Sequence, residues 1–164
     1  HNRGVNGAVV DEIASRLAAE PPGPEPGTVI FYLGENDIAE GVPASTVVRS
    51  LAAVVATTER RLPRARIIIV GMKPSPTRWT WRTEQLRFNA LAADFARHRR
   101  NVTFVDVADA LLVDGRPGPF YVDDGIHLDE NGYRRWGGAL RRVFETNVPA
   151  ATVARCIRHG RRTA

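Results

Sequence analysis

Three short apolar runs divide the chain, and each of them predicts a buried β-strand. They are rich in β-branched and aromatic residues, lack a polar side chain at every second position, and span residues 28–32, 67–70 and 102–105. Uninterrupted runs of this kind are typical of strands that are covered on both faces, as in a parallel sheet. We therefore predict three strands of a mostly parallel sheet.

Helical spacing of apolar residues occupies the segments around these runs. The clearest stripe follows Pro43 and ends at Leu62, directly before Pro63, a residue that cannot continue a helix. Similar patterns predict helices over residues 8–19, over 82–99 and after Asp129. Helices and strands that alternate through right-handed crossovers form a three-layer α/β/α domain, in which ligands bind beyond the carboxyl ends of the strands.

The size and composition of the chain fit one domain with an ordinary core. The chain has 164 residues, of which 43% are apolar and 25% charged, and no apolar run approaches the roughly 20 residues that span a bilayer. The single cysteine, Cys156, excludes a disulfide framework and favours a reducing compartment such as the cytoplasm. We predict a domain over residues 1–147 and a tail over 148–164. Nothing in the pattern indicates an oligomeric state.

Most of the positive charge belongs to the tail. The formal net charge is +5, no acidic residue follows Glu145, and the tail contains Arg155, Arg158, Arg161 and Arg162. A basic tail can bind nucleic acid or an anionic membrane surface. No aromatic residue lies among these arginines, so we expect a solvated tail and no nucleic-acid partner.

Two polar segments lie after predicted strands and contain residue types that catalyse reactions. They are Gly34-Glu35-Asn36-Asp37 after the first strand and Asp124-Gly125-Ile126-His127 after the third. Each has an ordinary interpretation, because Gly, Asn and Asp are common turn residues and Asp129 is suited to cap the last helix. The chemistry of the second segment favours a functional interpretation.

His127 is the histidine with a carboxylate at a spacing suited to catalysis. A histidine base needs a partner that fixes its tautomer and stabilises the imidazolium, and Asp124, three residues earlier, can reach the far ring nitrogen. The side-chain amide of Asn36 is a hydrogen-bond donor that suits a developing oxyanion. Together these residues outline an acyl-transfer site.

These segments resemble the sequence blocks of the SGNH (GDSL-type) hydrolases. Residues 34–37 match the G-x-N-D block and residues 124–127 match the D-x-x-H block, while Asn2-Arg3-Gly4-Val5-Asn6-Gly7 resembles the glycine block that precedes them. Residues 73–79 and 131–136 resemble a bacterial subgroup of that family. The likeness runs from about Asn2 to Phe144, and it implies a flavodoxin-like three-layer fold.

The resemblance also implies an activity and a set of roles. The activity is hydrolysis of a carboxylic ester of a small molecule or glycan through a serine acyl-enzyme, with no metal or organic cofactor. His127 would be the base, Asp124 would orient it, and Gly7 and Asn36 would donate to the oxyanion. Candidates for the wall of the substrate cleft are Lys73, Ser75, Arg78 and Trp79. Lys73 and Arg78 could bind an acidic acyl group or brace the loop, and we favour bracing.

One block of the family is absent from the sequence. It is a Gly-Asp-Ser-type turn that supplies the nucleophilic serine. In the family this turn follows a first strand that comes before the three strands predicted here. The four serines are Ser15, Ser45, Ser50 and Ser75, of which Ser75 alone lies near the predicted rim and could act as a surrogate. We expect the nucleophile and the first strand to precede residue 1, and the printed chain to be nearly inert, because losing a triad nucleophile costs on the order of 10⁶ in kcat.

Two other functions remain open. A binding module that kept the cleft but lost the nucleophile could recognise glycans by stacking on Trp79, Trp81 or Tyr121. A metal site could instead be formed by Asp123, Asp124, His127 and Asp129, or by a chelate at His1. We rank the metal site last, because one histidine among oxygen ligands is a poor set for a transition metal.

Overall fold

The computed structural model describes residues 2–21, 23 and 25–147, with the side chains of 146 and 147 left out. His1 and the predicted tail, 148–164, lie outside the described residues. In the described residues the central sheet has three parallel strands, in the order β1-β2-β3. They are β1 (Thr28–Phe31), β2 (Arg66–Val70) and β3 (Val102–Val105). The three predicted strands and their parallel pairing are therefore confirmed.

Within the part of the chain that the structure describes, five helices surround the sheet, and four of them follow the predicted patterns. They are α1 (Val10–Ala19), α2 (Glu35–Ala39), α3 (Ala44–Arg61), α4 (Arg82–Arg97) and α5 (Glu130–Asn147). Short 3-10 turns cover Trp79–Trp81 and Ala108–Leu111, and a small hairpin joins β4 (Leu112–Val113) to β5 (Arg116–Pro117). The hairpin was not predicted, because its two-residue strands are too short to show a pattern.

Alternation along the strands divides the apolar side chains between two cores. Ile67 and Ile69 face the larger core, which α1, α3 and α4 cover. Ile68 and Val70 face the smaller core, where they pack against α5. Helices on both faces of a parallel sheet give three layers, so the predicted three-layer α/β/α fold is confirmed.

The outer edge of β1 has no strand beside it within the described residues. β1 pairs with β2 alone, through a register that places Ile30 beside Ile68. Ile68 is 5% exposed under α5, whereas Ile30 is 52% exposed on the same face. On this face of the sheet, α5 therefore covers β2 but leaves β1 exposed to solvent.

Helix α2 corrects the prediction of a simple loop after β1. Gly34 adopts a left-handed conformation with φ of 93°, and the chain turns directly from the strand into a helix of five residues. Five residues are too few to show helical spacing of apolar positions, so the pattern did not reveal this helix. The turn places Glu35, Asn36 and Asp37 at the carboxyl end of β1.

We expect Gly34→Ala to destabilise the fold. A β-carbon at this position would lie 2.7 Å from Val47 Cγ1 and 2.8 Å from Met72 Cε. The left-handed conformation and the overpacking together give an expected loss of about 2–4 kcal/mol, measured by urea unfolding. Gly137→Ala is the matched control, because a β-carbon there meets nothing within 4 Å and α5 should gain roughly 0.5–1 kcal/mol. Equal stabilities for the two variants would contradict this account.

Candidate active site

Asp124 holds His127 by both of its carboxylate oxygens. Oδ1 accepts the backbone N–H groups of Ile126 at 2.7 Å and His127 at 2.8 Å, and Oδ2 lies 2.5 Å from His127 Nδ1. An ionised carboxylate only accepts hydrogen bonds, so Nδ1 carries a proton, and in the neutral ring Nε2 carries the lone pair. The His127 side chain is 55% exposed, so it is open to solvent.

The same hydrogen bonds lower the pKa of Asp124 to about 2. The largest cause is the bond with the His127 ring, followed by the N–H groups of Ile126 and His127. A carboxyl whose pKa falls on folding stabilises the fold above its ordinary value of 3.8, and that contribution is lost as the pH falls from about 4 to about 2. Asp124 is therefore ionised throughout the neutral range, in which His127 would act as a base.

The turn that carries His127 is bound to the loop after β2. Thr77 N donates to Gly125 O at 3.2 Å, and Thr77 Oγ1 donates to Asp124 O at 2.6 Å. Gly125 is left-handed with φ of 63°, and a β-carbon there would lie 2.5 Å from Thr77 Oγ1. Sequence reasoning missed the role of Thr77, because its partners, Asp124 and Gly125, lie 47 and 48 residues away.

The side-chain amide of Asn36 is held from both ends. Nδ2 donates to Ala8 O at 3.0 Å, and Oδ1 accepts from Arg78 Nη2 at 2.8 Å. An amide nitrogen has two hydrogens, and within the described residues only Ala8 O accepts one of them. Gly7, which directly precedes Ala8, is exposed and left-handed with φ of 75°. The structure thus brings Asn36 and the segment of Gly7 together.

A buried carboxylate, Glu35, lies behind Asn36. It is 7% exposed, and its oxygens accept from Lys73 Nζ at 2.9 and 2.8 Å and from Tyr32 Oη at 2.5 Å. Arg78 Nη1 is 3.4 Å from Glu35 Oε1. Burial raises the pKa of Tyr32 well above its usual value, and the charge of Glu35 adds to that rise. We call Tyr32, Glu35, Lys73 and Arg78 the Glu35 network. The contacts of Lys73 are those expected for bracing.

Asp37, the last residue of the G-x-N-D segment, has a structural role. Its two carboxylate oxygens accept the N–H of Val10 at 3.3 and 3.2 Å, which places a negative charge at the start of α1. Burial raises the pKa of Asp37, and the hydrogen bond from Val10 opposes that rise. Asp37 therefore fixes α1, and with it the segment of Gly7, against α2.

The structure buries Ser75 instead of placing it on the rim. Its exposure is 0%, and its hydroxyl has no hydrogen-bond partner within the described residues. A nucleophile must reach its substrate, so this burial argues against Ser75 as a surrogate nucleophile and as part of the cleft wall. No other serine lies in a loop at the carboxyl ends of the strands: Ser15 is in α1, and Ser45 and Ser50 are in α3.

The aromatic residues considered for ligand stacking make contacts within the protein. Trp79 lies 5.6 Å from the guanidinium of Arg116, and Trp81 packs against the larger core. The Tyr121 hydroxyl donates to Pro74 O, and burial raises the pKa of Tyr121. Trp79 stays half-buried beside the loop of Thr77 and Arg78, where a cleft wall was predicted.

Two carboxylates near His127, those of Asp124 and Asp129, bind backbone N–H groups of a turn and of a helix start. Asp129 Oδ1 accepts the N–H of Gly132 at 2.7 Å, so its predicted role as the cap of α5 is confirmed. Within residues 2–21, 23 and 25–147, no group of three or more His, Cys, Asp or Glu side chains could hold a metal ion.

None of the helices in the described part of the chain has the length and apolar character to cross a bilayer.

One loop connects the two candidate catalytic groups. Arg78 binds the amide of Asn36, and the adjacent Thr77 binds the turn of His127. The loop follows β2, which lies between β1 and β3, so the three segments meet at the carboxyl edge of the sheet. This edge is where ligands bind in open α/β folds.

Comparisons with known proteins agree on the fold. A family model described as GDSL-like Lipase/Acylhydrolase family matches residues 1–135. A solved protein from Streptococcus pneumonia, described as a platelet activating factor, is 24% identical to this chain with a TM-score of 0.78. The match covers 87% of this chain and 71% of that one.

Two solved esterases are also similar. An acetyl esterase mutant with an acetate ion is 20% identical, with a TM-score of 0.70 and coverage of 85% and 68%. A carbohydrate esterase family 3 protein from Talaromyces cellulolyticus is 18% identical, with a TM-score of 0.66 and coverage of 85% and 68%. No curated protein matches the chain significantly.

Proposed function

The chain belongs to the GDSL-like lipase/acylhydrolase family, and from this we propose that it supplies the base and the oxyanion donors of a serine-type ester hydrolase. The observation that carries the proposal is the Asp124–His127 pair, whose carboxylate oxygen and ring nitrogen lie 2.5 Å apart. The pair fixes the tautomer that leaves Nε2 free to accept a proton. The loop of Thr77 and Arg78 connects it to Asn36.

The geometry supports the following sequence of steps. His127 Nε2 takes the hydroxyl proton of a serine as its oxygen bonds to the ester carbonyl, and Asp124 stabilises the imidazolium. Asn36 Nδ2–H and the Gly7 N–H donate to the oxyanion. The imidazolium then protonates the departing alcohol. Water, deprotonated by His127, cleaves the acyl-enzyme and releases the acid and the serine.

We propose that the serine lies in the turn after a strand beside β1, in a segment preceding this sequence. Two observations support this position: the outer edge of β1 is unpaired within the described residues, and Ile30 is 52% exposed there. A parallel strand at that edge would end beside Asn36, because the carboxyl ends of parallel strands share one edge of the sheet.

The test compares the chain with the same chain extended at its N-terminus by the residues that the upstream codons encode. We expect the extended protein to hydrolyse a short p-nitrophenyl ester, and replacement of its upstream serine by alanine to lower kcat by on the order of 10⁶. Full activity without an upstream serine, or none in a folded extended protein, would refute the serine mechanism. A folded, inactive extended protein that binds oligosaccharides would favour the binding module.

For the substrate we propose an acyl or acetyl ester of a small molecule or glycan. The support is the likeness to an acetyl esterase and to a carbohydrate esterase family 3 protein, together with the place of the site at an open sheet edge. A panel of p-nitrophenyl esters of increasing acyl length, with an acetylated oligosaccharide, tests this proposal. A preference for long acyl chains would contradict it.

We expect Asn36→Ala to lower the kcat of the active protein by about 10²–10³, as deletion of an oxyanion donor does elsewhere. The physical reason is loss of the Nδ2–H that faces the developing charge. Steady-state hydrolysis measures the effect, and Asn131→Ala, on the exposed face of α5, is the control. A change in KM alone would assign Asn36 to substrate binding.

A further inference from the structure

Arg78 lies between a buried carboxylate and the amide of Asn36. One guanidinium nitrogen, Nη2, donates to Asn36 Oδ1 at 2.8 Å, while the other, Nη1, lies 3.4 Å from Glu35 Oε1. The side chain is largely buried, so water competes little for these contacts. A planar guanidinium that donates to one acceptor and pairs with a buried carboxylate has little freedom to move.

This contact determines which way the Asn36 amide points. A guanidinium has donors but no acceptor, so the amide atom that faces Arg78 must be oxygen. Ala8 O is an acceptor, so the atom that faces it must be nitrogen. Rotation of the amide by half a turn would set nitrogen against guanidinium and oxygen against carbonyl. Both neighbours therefore keep the N–H pair on the side of Ala8 and the segment of Gly7.

The charge of Arg78 also strengthens that donor. A cation bound to an amide oxygen draws electrons from the nitrogen, which makes its N–H groups more acidic. Within the Glu35 network, two cations, Lys73 and Arg78, share the one carboxylate of Glu35. The local excess of positive charge favours a nearby oxyanion.

We propose that Arg78 is a positioning residue that orients and polarises the Asn36 amide for the oxyanion, and that Thr77 ties the same loop to the turn of His127. The proposal rests on the proposed ester hydrolysis for its kinetic consequence. Its structural part, the fixed amide of Asn36, does not depend on catalysis.

The first experiment is a double-mutant cycle in the active protein. Arg78→Gln should lower kcat by about 10-fold or more, yet by less than the 10²–10³ expected for deletion of the donor itself, with little change in KM. In the Asn36→Ala background, Arg78→Gln should have almost no further effect, because its route of action is gone. Arg78→Lys, which keeps the charge but not the planar fork, should lie between wild type and Arg78→Gln.

Two kinetic outcomes would overturn the proposal. An equal loss of kcat from Arg78→Gln in both backgrounds would show that Arg78 acts independently of Asn36. A rise in KM with unchanged kcat would show that Arg78 binds the acyl group of the substrate. Arg97→Gln, which removes an exposed arginine paired with Asp94, is the matched control and should leave both constants unchanged.

The second experiment follows the side-chain amide of Asn36 by ¹⁵N NMR in the chain itself, with Asn36→Asp to assign the resonance. Arg78→Gln should move the ¹⁵N resonance upfield and speed the exchange of its two hydrogens with each other, because the amide C–N bond then has less double-bond character and rotates faster, and Arg97→Gln should do neither. An unchanged resonance and exchange rate would overturn the proposal even if the esterase is found. If Asn36→Ala leaves hydrolysis intact, the role of Asn36 in the proposed function fails, and this NMR result alone decides the orientation of the amide.

Discussion

His127→Ala should lower the esterase kcat of the active protein by on the order of 10⁶-fold, because no other described histidine can replace it as the base. His98, the other histidine of the described chain, is the C-terminal cap of α4. The His127 ring is 55% exposed and packs in neither core, so its removal should leave the fold intact. Hydrolysis of a short p-nitrophenyl ester measures the loss, and urea unfolding confirms that the variant is folded.

The chain provides a matched control for this variant. His98 faces Asp94 across 3.8 Å on the surface of α4, so it is also a histidine beside a carboxylate. His98→Ala should leave kcat unchanged, because that pair has no link to Asn36 or to the loop of Thr77. Similar losses from both variants would indicate a general effect of removing an imidazole. Retention of activity by a folded His127→Ala protein would refute the proposed base.

Asp124→Asn should lower kcat by about 10⁴-fold, as the equivalent change does in a serine triad, while KM changes little. The carbonyl oxygen of asparagine can still accept the N–H groups of Ile126 and His127, so the turn keeps its shape. Its NH₂ group, however, would donate to Nδ1 and force the ring into the tautomer in which Nε2 already carries a proton. Such a ring cannot act as the base.

The acid stability of this variant gives a second measurement. The wild-type chain should lose stability as the pH falls from about 4 to about 2, because protonation of Asp124 removes the carboxylate that binds His127. Asp124→Asn should lack that part of the decline. Asp123→Asn, an exposed neighbour, is the control. A full kcat in Asp124→Asn would mean that the carboxylate does not orient the base.

Apolar patterning was sufficient to predict the layers of the fold. The strand over 102–105 and the helix that follows Pro43 have the predicted positions, because runs of buried residues and helical stripes follow directly from burial of one or two faces. α2 escaped prediction for a physical reason. Its start depends on the left-handed conformation of Gly34 and on the close approach of Val47 and Met72, which leaves no room for a β-carbon. Both are properties of the folded core.

The site was predictable only where its partners are neighbours in sequence. The hydrogen bond between Asp124 and His127 spans three residues and follows from their spacing. The contacts of Asn36 with Ala8 and Arg78 span 28 and 42 residues, and only the crossovers of the sheet bring them together. For the same reason the sequence did not reveal that Asp37 serves α1. The roles of His127, Asp124, Gly7 and Asn36 in catalysis remain predictions.

The edge of β1 that no other described strand covers has a practical consequence for work with this chain alone. Thr28–Phe31 contains no charged residue and no proline, the two features that natural proteins use to keep edge strands from joining one another. With Ile30 open to water beside that edge, we expect copies of the chain to associate through it. Concentrated stocks of the isolated chain should therefore become turbid with time, and a lysine in place of Ile30 should keep them clear.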